Sequence, residues 1–273
     1  MPAAPLSAHG MLKLDGARFS MHFSEFVSLA DAGLGLQSYV EGLETKHRLF
    51  AAALEVPTRL DLATLETLLQ TVFTARRKLY PLIEALGAGR FAERAQALLA
   101  SEASVTERIA AFCDALPYPP GEGRESRTQT RKLRGAAQDF AAELLHFAQP
   151  QTYPLMTRWV WDASSASGAL RELMAVPDGA VHIDVPGAAE IFAAARGWLY
   201  ERIAEQGIWR DRHWLADLVL AMAYVTYFRA MTGGVLGSDF TRSSTPDEQL
   251  RKLLGFDAAG GRSRVRKSAA TIH

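Results

Sequence analysis

The sequence lacks most of the features that identify a function directly. Its 273 residues include one cysteine, Cys113, so no internal disulfide can form, which favours a reducing compartment. Thirty basic residues balance thirty acidic ones, so attraction to nucleic acid or membrane would need a local patch. HExxH, CxxC, Walker and GxSxG motifs are absent. We therefore expect no cofactor, no metal and no standard catalytic centre.

Long hydrophobic runs are also missing. The longest apolar stretch, Leu215 to Met231, contains Asp217 and Arg229 with about 11 uncharged residues between them, whereas a membrane-spanning helix needs roughly 20. Residues 1–10 lack the charged segment and apolar core of a secretion signal. The sequence thus predicts a cytoplasmic protein with no membrane partner.

Apolar residues recur at steps of three and four through most of the chain, which is typical of amphipathic helices. We predict a predominantly α, multi-helix, bundle-like globular protein. A very small β-sheet is allowed near residues 11–23 and 180–185. In the first range Asp15-Gly16 lies between apolar residues, as in a hairpin, and the second range alternates like a strand.

Local capping signals locate two helix starts. Asp61 is a suitable N-cap for a helix that runs to Leu86, and Tyr80-Pro81 should kink or divide that helix. Residues 245–248, Thr-Pro-Asp-Glu, combine a capping box with proline at the first helical position, and Gly255 should end this helix.

The segment Thr128 to Asp162 concentrates large apolar side chains, so we expect it at the heart of the fold. Its first part predicts an amphipathic helix that ends at Pro150. On that helix Asp139, Glu143 and His146 are spaced four and three residues apart, as metal ligands or proton-transfer groups can be. Because a soluble helix needs a polar side and no second such motif occurs, we expect the three to face solvent.

Twenty residues of this segment, ELLHFAQPQTYPLMTRWVWD, locally resemble the Leu-Leu-His-Phe…Pro…Tyr-Pro segments of some helical nucleic-acid-associated proteins. These include distant helix-hairpin-helix glycosylases. The chain brings no hairpin Gly-x-Gly and no established catalytic lysine or aspartate, and a helix–turn–helix packing unit explains the same residues. We therefore assign no family.

A run of prolines and glycines from Pro117 to Gly123 is the best linker candidate. A single domain over residues 11–257 is the alternative to a division there. The divided organisation comprises an N-terminal helical region (1–118), a basic polar linker or loop (119–130), a C-terminal helical region around the aromatic segment 140–161 (131–257), and a disordered basic tail (258–273).

Asp217 lies within an apolar helix and therefore needs a partner, for which His213 or Arg229 is the expected candidate. Cys113 lies in an apolar helical segment and is expected to be a packing residue.

Three hypotheses on function follow. The first, which we favour, is a binding or regulatory protein that is not an enzyme and contacts another protein or a small ligand. The second is a nucleic-acid-associated protein that uses the basic clusters 124–134 and 262–267. The third is an enzyme whose helical pocket uses His213 or His146. The first hypothesis predicts that the partner or ligand contacts Tyr153, Met156, Arg158, Trp159, Trp161, His213 and Asp217. The second predicts phosphate contacts by Arg124, Arg127, Arg131, Lys132 and Arg134.

Overall fold

A computed structural model describes residues 12–55, 60–176, 183–232 and 245–259. Within these ranges the chain forms helices joined by turns, without strands, so the predicted α class is confirmed. The helices are α1 (Gly16–Ala32), α2 (Leu36–Leu54), α3 (Leu62–Gln70), α4 (Tyr80–Leu86), α5 (Ala88–Ala100), α6 (Val105–Asp114), α7 (Arg124–Ala148), α8 (Ala169–Leu173), α9 (Ala189–Glu205), α10 (Arg212–Thr232), α11 (Pro246–Leu254) and α12 (Phe256–Ala259).

The hairpin predicted near residues 11–23 is wrong. Asp15 is instead the N-cap of α1, since its carboxylate accepts two backbone N–H groups of the first turn at 2.7 and 3.2 Å. The residue before it forms only an isolated antiparallel bridge with Met174. The second predicted strand, 180–185, lies outside the described residues up to position 182 and is neither helix nor strand beyond it.

Both predicted helix starts are confirmed. The Asp61 carboxylate accepts the backbone N–H of Thr64 at 2.7 Å, and residues 245–248 form a complete capping box. The helix that follows Asp61 is divided earlier than expected, because turns over residues 71–79 separate α3 from α4. Pro81 therefore lies in the first turn of α4, where its missing N–H costs nothing.

α7 is the central helix of the fold. Its residues from Leu133 to Phe147 are almost all buried, because α2, α5 and α6 pack around it. α10 is the second buried helix and packs against α1, α8 and α9. No helix of the described ranges is long and apolar enough to cross a membrane.

Helices from both sides of the predicted linker contribute to one hydrophobic core. α2 packs on α7, and α1 packs on α10. The chain is helical from Arg124 onward, so the basic residues of the segment 119–130 lie on the first turns of α7. The tail from residue 260 lies outside the described residues.

Candidate functional site

The polar residues of α7 are buried, contrary to the expectation that they face solvent. Asp139, Glu143 and His146 are 0, 3 and 1% exposed. A buried charge is costly unless it is paired, and here each residue has a partner from another part of the chain. We call this set the buried polar row. Its pairs are Asp139–Arg158, Glu143–Lys46 and His146–Asp217.

The middle pair of the row is held by three acceptors around one ammonium group. Lys46 Nζ lies 2.5 Å from a Glu143 oxygen and donates to the carbonyls of Thr71 and Leu254, each at 3.0 Å. It also lies 4.3 Å from the centre of the Phe147 ring. Burial lowers the pKa of Lys46 and raises the pKa of Glu143, while the opposite charge of the partner counteracts each shift.

The Asp139–Arg158 pair ties the segment that follows α7 back to the side of that helix. The two Asp139 oxygens accept the backbone N–H of Arg158 and one guanidinium nitrogen, both at 2.8 Å. Arg158 Nε donates to the carbonyl of Gly135 at 3.1 Å. A Cβ at Gly135 would lie 2.4 Å from the guanidinium, so glycine is required for this close approach.

The third pair corrects the expected partner of Asp217, which faces His146 rather than His213 or Arg229. His146 Nδ1 donates to the carbonyl of Tyr153 at 2.9 Å, so its Nε2 points at Asp217, where the oxygen is also 2.9 Å away. This contact has ion-pair distance but not the in-line geometry of a hydrogen bond.

His213 lies beside the row but belongs to a neighbouring aromatic cluster. Its ring is half-buried and lies 4.4 Å from the ring centre of Trp214. Burial lowers the pKa of His213, against the smaller opposing effect of the Asp217 charge. No group of three or more His, Cys, Asp or Glu side chains in the described ranges could hold a metal ion.

A pocket opens where α6, α7 and the beginning of α9 meet, and we call it the α6–α7–α9 pocket. Its cavity volume is about 180 Å³. Apolar side chains form most of its wall, and one arginine, one glutamine and one threonine add polar groups. The residues that matter for its chemistry are Ile109, Cys113, Arg134, Gln138, Met156 and Phe192.

The polar groups of the pocket come mainly from α7. Arg134 is exposed and forms an ion pair with Asp114 at 2.6 Å, which raises the pKa of the guanidinium. Gln138 follows one turn later and is half-buried. Burial raises the pKa of Cys113 to about 11, although Arg134 opposes the shift. The thiol is therefore neutral near pH 7, which argues against a thiolate nucleophile in this pocket.

The pocket and the buried polar row share one wall. Gln138 lines the pocket and immediately precedes Asp139, while Met156 lines it two residues before Arg158. The Asp139–Arg158 ion pair therefore lies beside the wall of the pocket.

The predicted contact residues lie mostly inside the molecule. Trp159 and Trp161 are buried, and Trp161 donates to the carbonyl of Val185 at 3.2 Å. The hydroxyl of Tyr153 accepts from Arg108. Met156 is the predicted contact residue that lines the pocket. Arg134, predicted as a phosphate contact, also lines it. Sequence patterns did not identify the other pocket residues, because they come from different helices and no periodic pattern links them.

Four of the five predicted phosphate contacts form a row on the surface of α7. Arg124, Arg127, Arg131 and Arg134 follow one another at steps of three, four and three, so they share one helix face, and all are exposed. We call this row the arginine face. Lys132 is also exposed but is not part of this series. The second basic cluster, 262–267, lies outside the described residues.

The chain matches no protein-family model, and comparison with curated proteins and with solved structures found no similar protein.

Proposed function

We propose that the protein is a cytoplasmic helical binding protein that takes up a small ligand in the α6–α7–α9 pocket. The ligand would have an apolar body and one anionic group. The observation that carries this proposal is an apolar concavity that has Arg134 and Gln138 on one side. Binding sites commonly combine apolar walls with a few placed polar groups.

The size of the cavity limits the apolar body. Its volume of about 180 Å³ is close to that of an engineered apolar cavity in another protein, about 150 Å³, which binds benzene. One aromatic ring or a chain of roughly six carbons would fill a space of this size. Short carboxylates such as phenylacetate and hexanoate are suitable probes.

The anionic group would be recognised by Arg134. A guanidinium has five N–H donors in a planar arrangement that fits a carboxylate or phosphate. Asp114 occupies one nitrogen of this group, and within the described ranges no other partner of Arg134 is found. Gln138 can add a donor and an acceptor deeper in the pocket.

Calorimetric titration with phenylacetate, hexanoate and the corresponding alcohols, phenethyl alcohol and hexanol, tests the proposal. Acids should bind more tightly than alcohols, and Arg134→Met should remove this preference, with about a 10-fold or larger loss for the acids. Arg131→Met on the same helix is the matched control. Equal affinity for acids and alcohols in the wild type would contradict a role for Arg134.

A blocking variant tests the location of the site. Ala110 lines the pocket from an exposed position of α6, whereas the adjacent Ala111 is exposed outside it. Ala110→Trp should abolish binding, and Ala111→Trp should leave it unchanged. If both tryptophans have the same effect, the ligand binds elsewhere.

A second candidate function is nucleic-acid binding by the arginine face, which the alignment of its four exposed arginines favours. Contacts to phosphates release counterions, so the affinity for duplex DNA would fall with salt by about 0.9 logarithmic units of slope per phosphate. In a double variant, Arg127→Gln with Arg131→Gln, two phosphate contacts are lost. The slope of log affinity against log salt should therefore become less steep by about 1.8 units. An unchanged slope would exclude this face.

A further inference from the structure

Trp209 is a large apolar side chain that the fold leaves in solvent. It is 69% exposed, whereas Trp159, Trp161 and Trp214 are buried. A buried aromatic side chain stabilises a core or an interface strongly. The exposed ring of Trp209 does not add this stabilisation to the fold. Tryptophan, tyrosine and arginine are the residues most enriched at the energetic centres of binding interfaces.

The turn between α9 and α10 holds Trp209 in a defined position. Left-handed residues lie on both sides of it, Gly207 with φ 80° and Asp211 with φ 53°. A left-handed conformation costs a residue other than glycine roughly 1–2 kcal/mol, somewhat less for aspartate. Such strain concentrates at functional sites and needs support from the surrounding structure.

One arginine lies near both the exposed ring and a neighbouring tyrosine. The guanidinium of Arg212 lies 5.3 Å from the ring centre of Tyr200 and 5.9 Å from that of Trp209. The guanidinium of Arg196 also lies near Tyr200, 5.8 Å from its ring centre. Arg210, next to the tryptophan, is exposed. We call these five residues the Trp209 patch.

The patch has unbalanced positive charge. Across the described part of the chain, neither Arg210 nor Arg212 has a carboxylate within ion-pair distance. Asp211 lies between them in sequence and the buried Asp217 acts on Tyr200, so three guanidinium groups accompany two acidic groups. Arg196 is fixed by the carbonyls of Pro150 (3.3 Å) and Thr152 (3.0 Å) and keeps its charge uncompensated.

We propose that the Trp209 patch binds single-stranded nucleic acid, with one base stacked on Trp209 and neighbouring phosphates paired with Arg210 and Arg212. Single strands present planar groups and negative charges in alternation, which is what an exposed aromatic ring among arginines recognises. Duplexes hide the faces of their bases. Acidic peptides would pair with the arginines but would offer nothing to stack on the indole.

This surface shares no residue with the arginine face or with the α6–α7–α9 pocket. Arg196 contacts carbonyls just beyond the C-terminal end of α7, whereas the arginine face covers the first turns of that helix. At 1.5 Å per residue, Arg134, the last residue of the arginine face, lies about 21 Å along the helix from Ala148. Variants can therefore test each surface independently.

Titration of the full chain with oligothymidylate and oligoadenylate of about ten nucleotides, followed by tryptophan fluorescence, tests the proposal. Stacking should quench the emission of the exposed Trp209 and leave that of the buried tryptophans. Trp209→Ala should abolish the quenching and weaken binding about 10-fold or more. Arg212→Gln should weaken binding and lower the salt slope by about 0.7 units for one lost phosphate contact.

Two matched variants serve as controls. Leu34→Ala removes an equally exposed apolar side chain from the turn before α2, and it should not change binding. Arg127→Gln removes a charge from the arginine face and should have little effect on the quenching. An undiminished affinity of Trp209→Ala, or polyglutamate binding as tightly as oligothymidylate, would overturn the proposal. The same holds if wild-type protein fails to bind either oligonucleotide at low salt.

Discussion

The ammonium group of Lys46 lies 2.5 Å from the carboxylate of Glu143, and neither side chain is more than 3% exposed. This pair connects α2 to α7 in the centre of the molecule. The two remaining ammonium hydrogens are donated to backbone carbonyls, so all three donors are satisfied. A satisfied buried pair adds little net stability, but removal of one partner leaves an uncompensated charge.

Single replacements of this pair should therefore be much more harmful than a double replacement. Lys46→Met or Glu143→Gln should each lower the free energy of unfolding by about 3–5 kcal/mol. The double variant Lys46→Met with Glu143→Leu should lose considerably less, because no charge stays buried. Urea denaturation followed by circular dichroism measures all three, and additive losses would show that the two groups are not coupled.

The two single variants should respond to pH in opposite directions. In Lys46→Met, burial keeps the pKa of Glu143 raised, because the charge of Lys46 no longer opposes the shift. A carboxyl with a raised folded pKa is most favourable at low pH, so the deficit relative to wild type should grow from pH 5 to pH 8. In Glu143→Gln, burial keeps the pKa of Lys46 lowered, so the deficit should shrink as pH rises towards 10. If the stability deficits of both variants changed with pH in the same direction, these pKa directions for Glu143 and Lys46 would be contradicted.

Gly135→Ala tests the close approach of Arg158 to α7. Alanine is favoured over glycine in a helix by about 1 kcal/mol, but its Cβ would displace the guanidinium from Asp139. We expect a net destabilisation of about 1–2 kcal/mol in the wild type, since disturbing a buried charged hydrogen bond costs more than the propensity gain. In an Arg158→Ala background the same substitution should be stabilising by about 1 kcal/mol. The same sign in both backgrounds would rule out this contact as the cause.

Gly255 and Gly207 form a matched pair of left-handed glycines, with φ 77° and 80°. A Cβ at Gly207 would meet no atom within 4 Å, whereas one at Gly255 would lie 1.9 Å from the carbonyl oxygen of Thr71. Gly207→Ala should lower the free energy of unfolding only by the cost of holding alanine in the left-handed conformation, about 1–2 kcal/mol. Gly255→Ala should cost clearly more, because backbone must also move. Thermal denaturation of the two variants measures the difference, and equal losses would exclude the clash.

Aromatic residues of the core and of the surface should differ sharply in their effect on stability. Phe140 is fully buried in α7, so Phe140→Ala should lower the free energy of unfolding by about 3–5 kcal/mol. Trp209→Ala removes an exposed ring and should change it by no more than about 0.5 kcal/mol. A loss above 2 kcal/mol for Trp209→Ala would show that this ring packs against the fold.

The helix starts could be predicted from the sequence because they depend on local interactions. Asp61 and the capping box at 245–248 bind N–H groups only three residues away, so their signals do not depend on the rest of the fold. At Asp15 the same kind of signal was ambiguous, because Asp-Gly suits a hairpin turn as well as a helix start. Phe19, Phe23 and Phe26 are buried together on one side of α1, and this packing decides for the helix.

The sequence by itself therefore determined the α class, the caps and the burial of the central segment, since these depend on periodicity and short-range hydrogen bonds. Only the tertiary structure decided that Asp139, Glu143 and His146 are buried. Their partners are contributed by α2, by the segment after α7 and by α10, and long-range pairing leaves no periodic signal in the chain. For the same reason composition could not distinguish the buried Trp159 from the exposed Trp209, because exposure depends on which surfaces pack against each ring.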